Sequence, residues 1–165
     1  MGRVVISDEY PLADELLAPF LTNLQTRIET DPALMILLGG RNVYVGGDPE
    51  DKPPSGKWVV IGYESPAGEI PEHNEGWETP RLHVRSESRE TLHSRIAALT
   101  FHTDIHAVIA TRILNHRPTL SGGANGGTGE IVHREEKSPL VRYDADSKTY
   151  YFASFFSTRI IAAQV

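Results

Sequence analysis

Histidines at helical spacing and paired carboxylates announce chemistry most directly, and His102 and His106 stand four apart. On a helix that spacing brings two imidazoles to one face, as zinc ligands require. The pair lacks the glutamate of a His-Glu-x-x-His arrangement, no cysteine exists to complete a site, and Asp104 would project from a different helical face. Solvated or capping histidines are the simpler reading. A metal-dependent hydrolase built on His102, His106 and a distant acid is the enzymatic alternative.

The other chemical patterns are weaker. Residues 121–129 (SGGANGGTG) hold consecutive glycines, and runs of backbone amides do bind phosphates, but the Gly-Lys-Ser/Thr ending of a P-loop is missing. That composition predicts a flexible connection. No Gly-x-Ser-x-Gly surrounds a serine, and Ser55 and Ser65 fall in proline-containing loops. The acid pairs Asp8-Glu9, Asp14-Glu15 and Glu135-Glu136 are adjacent, so in regular structure their side chains diverge. The arginines Arg81, Arg85, Arg89 and Arg95 recur at intervals that allow two readings. One is a solvated face with local pairing to Glu87 and Glu90. The other is a contact with the acidic loops of a neighbouring copy, through Asp48, Glu50 and Asp51 or Glu69 and Glu72, because a head-to-tail ring joins two different surfaces of one subunit.

Elements able to position these residues follow from periodicity. Leu12, Leu16, Leu17, Phe20, Leu21, Leu24 and Ile28 recur at three- and four-residue steps and predict a helix ending near Thr30. Pro19 either kinks it or marks the start of its regular part. Asp31-Pro32 supplies an N-cap and a proline at the first helical position, residues 33–38 a short apolar helix, and Gly39-Gly40 the left-handed stop. Residues 42–45 and 57–63 read as strands, the second apolar on both faces. Residues 77–87 alternate, with Leu82 and Val84 on one side and Arg81, His83 and Arg85 on the other. Between 88 and 102 a helix is favoured over a strand at 95–102, from the spacing of Leu92, Ile96 and Leu99, and a further helix spans 104–115. A hairpin closes the pattern, turning around residues 144–147 into a strand with Tyr150, Tyr151, Phe152, Phe155 and Phe156 on both faces, which suits the centre of a sheet. The sum is an α+β domain, two or three helices on a mixed, largely antiparallel sheet of about five strands with long projecting loops. Residues 1–18 form an N-terminal extension and 19–165 a single domain.

Composition bounds the function classes. With 165 residues one core is enough. The absence of cysteine excludes thiol chemistry and suits a reducing cytoplasm. No apolar stretch reaches the length of a bilayer span. The net charge of -6 is uneven: residues 1–80 carry 5 basic and 14 acidic side chains, residues 81–165 carry 11 and 8. The C-terminal excess is too small for a nucleic-acid footprint and fits a charge-complementary protein interface better.

The order of features has a counterpart. Leu21-x-x-Leu24-x-x-x-Ile28, Asp31-Pro32-Ala33-Leu34, Leu37-Leu38-Gly39-Gly40-Arg41-Asn42-Val43-Tyr44 and the strand Trp58-Val59-Val60-Ile61-Gly62 resemble the tail completion proteins of long-tailed bacteriophages, the family that includes tail terminators. Val84-Arg85-Ser86, a helix and the aromatic C-terminal hairpin continue the likeness. The resemblance implies a virion subunit that assembles in the host cytoplasm into a hexameric ring. Such a ring caps the tail tube, stops its growth and joins tail to head, with copies of itself, the tube protein and a neck or head-completion protein as partners. It implies no catalytic residue and no cofactor. A related neck or head-completion role is the alternative within the same class.

Overall fold

The computed structural model describes residues 16–64, 77–78, 81–122, 126–135 and 140–163. Most of the expected N-terminal extension, together with Glu69 and Glu72, lies outside the described residues. Local chemistry explains the first helices. Helix α1 (Leu17–Glu29) carries Pro19 in its opening turn, where the missing amide has no intrahelical acceptor to lose, so the proline marks the start and causes no kink. Helix α2 (Pro32–Leu38) has the expected caps: the Asp31 carboxylate accepts from the Leu34 amide at 3.1 Å, and Gly39 ends the helix at φ 71°.

Helix α3 (Arg95–Ile113) differs from expectation. It is continuous, is capped by Ser94, whose hydroxyl accepts from the Ala97 amide at 3.2 Å, and follows a single 3-10 turn at Glu90–Leu92. No strand occupies 95–102. The apolar residues that suggested the register face outward, with Leu92 43%, Ile96 78% and Leu99 44% exposed, while the buried stripe is Ala98, His102, Ile105, His106, Ile109 and Ile113. Two large members of that stripe are polar, which is why apolar periodicity shifts phase along the segment.

The three helices among the described residues lie on one face of an eight-stranded sheet, an α+β architecture with more strands than expected. The order is β1 (Val43–Val45), β2 (Lys57–Glu64), β4 (Arg81–Arg89), β8 (Thr149–Ala162), β6 (Gly127–Arg134), β5 (Thr119–Leu120). Strand β3 (Trp77–Glu78) and strand β7 (Arg142–Asp144) also pair with β8. Among the described strands only β1 and β2 run parallel, and the other pairs are antiparallel. Of the strands not expected, β3 and β5 are two residues long, too short to show a period, and the eight-residue β6 begins inside the glycine-rich segment. The central position expected of the aromatic strand holds: β8 pairs with β4 and β3 on one flank and with β7 and β6 on the other.

The core forms where α1 and α3 press on the inner face. Phe20, Leu24, Ile28, Ile105, Ile109 and Ile113 meet Val59, Ile61, Leu82, Val84, Phe156 and Ile160, all fully buried. Each contributes about 1.5–3 kcal/mol by leaving water. The end of the glycine-rich segment is not the flexible connection its composition suggests, since residues 127–129 open β6, while residues 123–125 lie outside the described residues. A Cβ on Gly129 would lie 2.9 Å from the Phe20 ring, and one on Gly127 2.5 Å from Leu16 Cδ1 and 2.2 Å from the Ile161 carbonyl. Glycine there lets α1 lie directly on the strand.

Candidate interaction face

Strand β4 alternates between two polar worlds. Leu82, Val84, Ser86 and Ser88 point to the helices, whereas Arg81, His83, Arg85 and Glu87 point to the opposite face, which no helix among the described residues covers. Across the ladder Glu87 stands opposite Trp58 and Arg85 opposite Val60. Trp58 is only 1% exposed because the loop after β1 folds back over it. Its indole N–H donates to Asp48 Oδ1 at 3.2 Å and Glu87 Oε2 at 3.0 Å, and the Lys52 ammonium lies 5.0 Å from the ring centroid. Arg85 Nη2 donates to both Asp48 oxygens at 3.0 Å and lies 3.3 Å from Glu87 Oε2.

The two carboxylates divide one proton. Burial, and then the hydrogen bond with Asp48, pushes Glu87 up to about 7. The hydrogen bond from Glu87, with further donation from Trp58 and the Arg85 charge, holds Asp48 down to about 2. The proton therefore sits on Glu87 at mildly acidic pH. An open cleft of about 600 Å³ adjoins the cluster, with Arg89, Lys148 and Tyr151 on its walls. Carboxylates in hydrogen-bond contact lack the separation of about 5–9.5 Å used by glycoside hydrolases. The arrangement binds the β1–β2 loop to the sheet and presents balanced charge.

Further along the same face, Arg81 grips Glu135 in a two-pronged contact at 2.7–3.1 Å and stacks 3.9 Å above the Phe155 ring. His83 packs beside Phe155 with ring centroids 5.1 Å apart. Glu130 lies between Arg117 at 3.0 Å and Arg159 at 3.6 Å.

The structure thus brings Arg85 and Asp48, two of the residues singled out for an interface, together within one chain, and engages Arg81 internally. Arg89, Glu50 and Asp51 are exposed and make no ion pair among the described residues. Of the local partners the sequence suggested for these arginines, Glu87 does meet Arg85, whereas Trp58 was missed as a member of the cluster. The signal for the Glu87 contact was its place two residues after Arg85, on the same side of a strand.

The histidine pair lies on the inner side and is neither solvated nor capping. His102 and His106 are 0% and 1% exposed. Their ring nitrogens are all engaged: Ser86 Oγ is hydrogen-bonded to His102 Nδ1 at 2.6 Å and His106 Nε2 at 2.8 Å, Ser88 Oγ to His102 Nε2 at 2.9 Å, and Ser154 Oγ to His106 Nδ1 at 2.6 Å. Ser88 Oγ extends the chain to His93 Nε2 at 2.8 Å. A metal would have to displace these hydroxyls to reach a lone pair, so the helical spacing serves a hydroxyl–imidazole chain. Each serine between two rings donates to one and accepts from the other, which obliges the three imidazoles to share one tautomeric direction. Burial is the main cause holding His102 and His106 down to about 3, with neighbouring positive groups such as Arg134 adding to it at His106. The chain is neutral at physiological pH.

Among the described residues no helix is long and apolar enough to cross a membrane. No family model and no curated protein matches the sequence. Solved structures do match in fold. A chain from the virion of a native gene transfer agent particle superposes with a TM-score of 0.58 at 15% identity, covering 93% of this chain and 99% of that one. A second solved chain gives a TM-score of 0.56 at 9% identity, covering 92% and 97%.

Proposed function

We propose that this chain is a structural subunit of a phage-like particle, a tail terminator that forms a ring on the end of the tail tube, stops its growth and joins tail to head. The observation that carries this reading is the fold shared with the gene transfer agent virion chain over 99% of that chain's length. The motif order from Leu21 to Gly62 supports it independently. A sheet face without helical cover, on which Arg81 and Arg85 are already neutralised by Glu135 and Asp48, suits packing between subunits, since little unpaired charge has to be stripped of water. Copies of itself, the tube protein and a neck or head-completion protein are the partners this role requires, and the virion is its location.

Native mass spectrometry of the purified chain, alone and with tail tubes, tests the reading. A closed ring, six-membered by the resemblance, that binds tube ends is the expected species. A strictly monomeric chain at high concentration and in the presence of tubes overturns it. A ring that binds head connectors and ignores tubes assigns the neck role instead.

A further inference from the structure

A second concavity lies on the helical side. It is a groove of about 650 Å³ running along α1, bounded by the C-terminal end of α3 and closed by β5. Its cations are held in a particular way. Arg27 donates through Nε to the carbonyl of Arg112, and Arg112 donates through Nε to the Asp31 carboxylate. Both guanidinium groups are thereby anchored at one nitrogen, while their terminal amino groups have no acceptor among the described residues. Asp31 is buried and neutralised by Arg112, which leaves one net positive charge at the groove. Thr22, Thr26 and Thr30, one helical turn apart, line it with hydroxyls.

The complementary surface is on the same chain. Glu50 and Asp51 are exposed and unpaired among the described residues, on the loop that leaves β1. Strand β1 is one edge of the sheet, and β5, which closes the groove, is the other. Two different and complementary surfaces of one subunit are what a head-to-tail contact in a closed ring needs.

We propose that the α1–α3 groove receives the Glu50-Asp51 loop of a second copy, with Arg27 and Arg112 as the cations that bind it. The inference rests on the ring reading and names its contact; it replaces Arg81 and Arg85, which the fold commits internally, as the basic partner of the acidic loop.

Charge reversal tests it. Arg27→Glu and the double change Glu50→Lys/Asp51→Lys should each raise the concentration at half-assembly by about tenfold or more, read by analytical ultracentrifugation. Combining all three changes in one chain should recover assembly to within about threefold of the wild type, because both surfaces are then swapped. Circular dichroism and thermal melting check the fold. Thr26→Glu places the same charge in the groove without touching the Arg27–Arg112 bond, and it should weaken assembly likewise. Rings that form unchanged in the single-surface variants, or that fail to recover in the combined one, overturn this contact and leave the ring standing. A wild-type chain that stays monomeric even on tail tubes overturns both.

Discussion

Residues 85–88 of β4 feed two networks that share a backbone and little else. Arg85 and Glu87 face outward into a half-open cluster of charges; Ser86 and Ser88 face inward into a dry chain of hydroxyls and imidazoles. The same force shapes both. Loss of water favours the neutral form of each group, lowering the histidines and raising Glu87. Outside, the hydrogen bond from Glu87, joined by the Trp58 N–H and the Arg85 guanidinium, keeps Asp48 charged. Inside, no counterion is offered, and neutrality is complete. Depth, and not residue type, decides whether a polar network on this sheet carries charge.

The largest expected effect is that of acid on the inner network. The folded histidines titrate near 3 and unfolded ones near 6.5, so only the unfolded chain takes up protons as pH falls between those values, and stability declines. The two histidines together should remove about 4 kcal/mol between pH 6 and pH 4.5, read by urea unfolding at stepped pH. A flat profile across that window would show that the chain is not held neutral. Next comes Ser86→Ala, which strands a nitrogen on each of two buried rings and should destabilise by about 2–3 kcal/mol at pH 7. Cavity formation is negligible for so small a side chain, so a loss below about 0.5 kcal/mol would mean that the hydroxyl bridge is unimportant.

Outer-face changes should be smaller and of different sign with pH. Glu87 has a folded value above its unfolded one, so its protonated form stabilises the fold at low pH and that contribution fades as pH rises through about 7. Glu87→Gln mimics the protonated acid. The variant should match the wild type at pH 5 and exceed it by about 2 kcal/mol at pH 8. Equal stability at both pH values would remove the shared proton from the account. Least of all, Arg81→Ala should lower stability by about 0.5–1 kcal/mol, because its ion pair and its stacking on Phe155 are partly open to water. A loss above about 2 kcal/mol there would erase the contrast between the faces.

What the sequence revealed was local. The caps of α2 are legible because Asp31, Pro32 and Gly39 act on backbone groups within a few residues, and the turn into β8 is legible for the same reason. The aromatic residues of β8 announced a strand at the centre of the sheet. What stayed hidden is set by partners far along the chain. His102 and His106 read as metal ligands or surface groups until Ser86, Ser88 and Ser154 arrive from two strands. Gly127 and Gly129 read as a linker until α1 lies upon them. Arg85 read either as paired locally with Glu87 or as free to meet another copy; the Glu87 contact is there, but Asp48, separated from it by 37 positions, is the partner the sequence hid. The mixed polarity of α3 concealed its buried stripe.

Strand β8 also imposes an order in time. Strands β4 and β6 both take their central partner from residues 149–162. During synthesis the β1–β2–β4 ribbon lacks its central partner until those residues have left the ribosome. Its ladder with β8 joins residues some seventy positions apart, as Arg81 with Ser157, and such long closures slow folding. The sheet is therefore completed in one late event. Until then β4 keeps an open edge, and its pairing with β8 must outrun pairing with a neighbouring nascent chain.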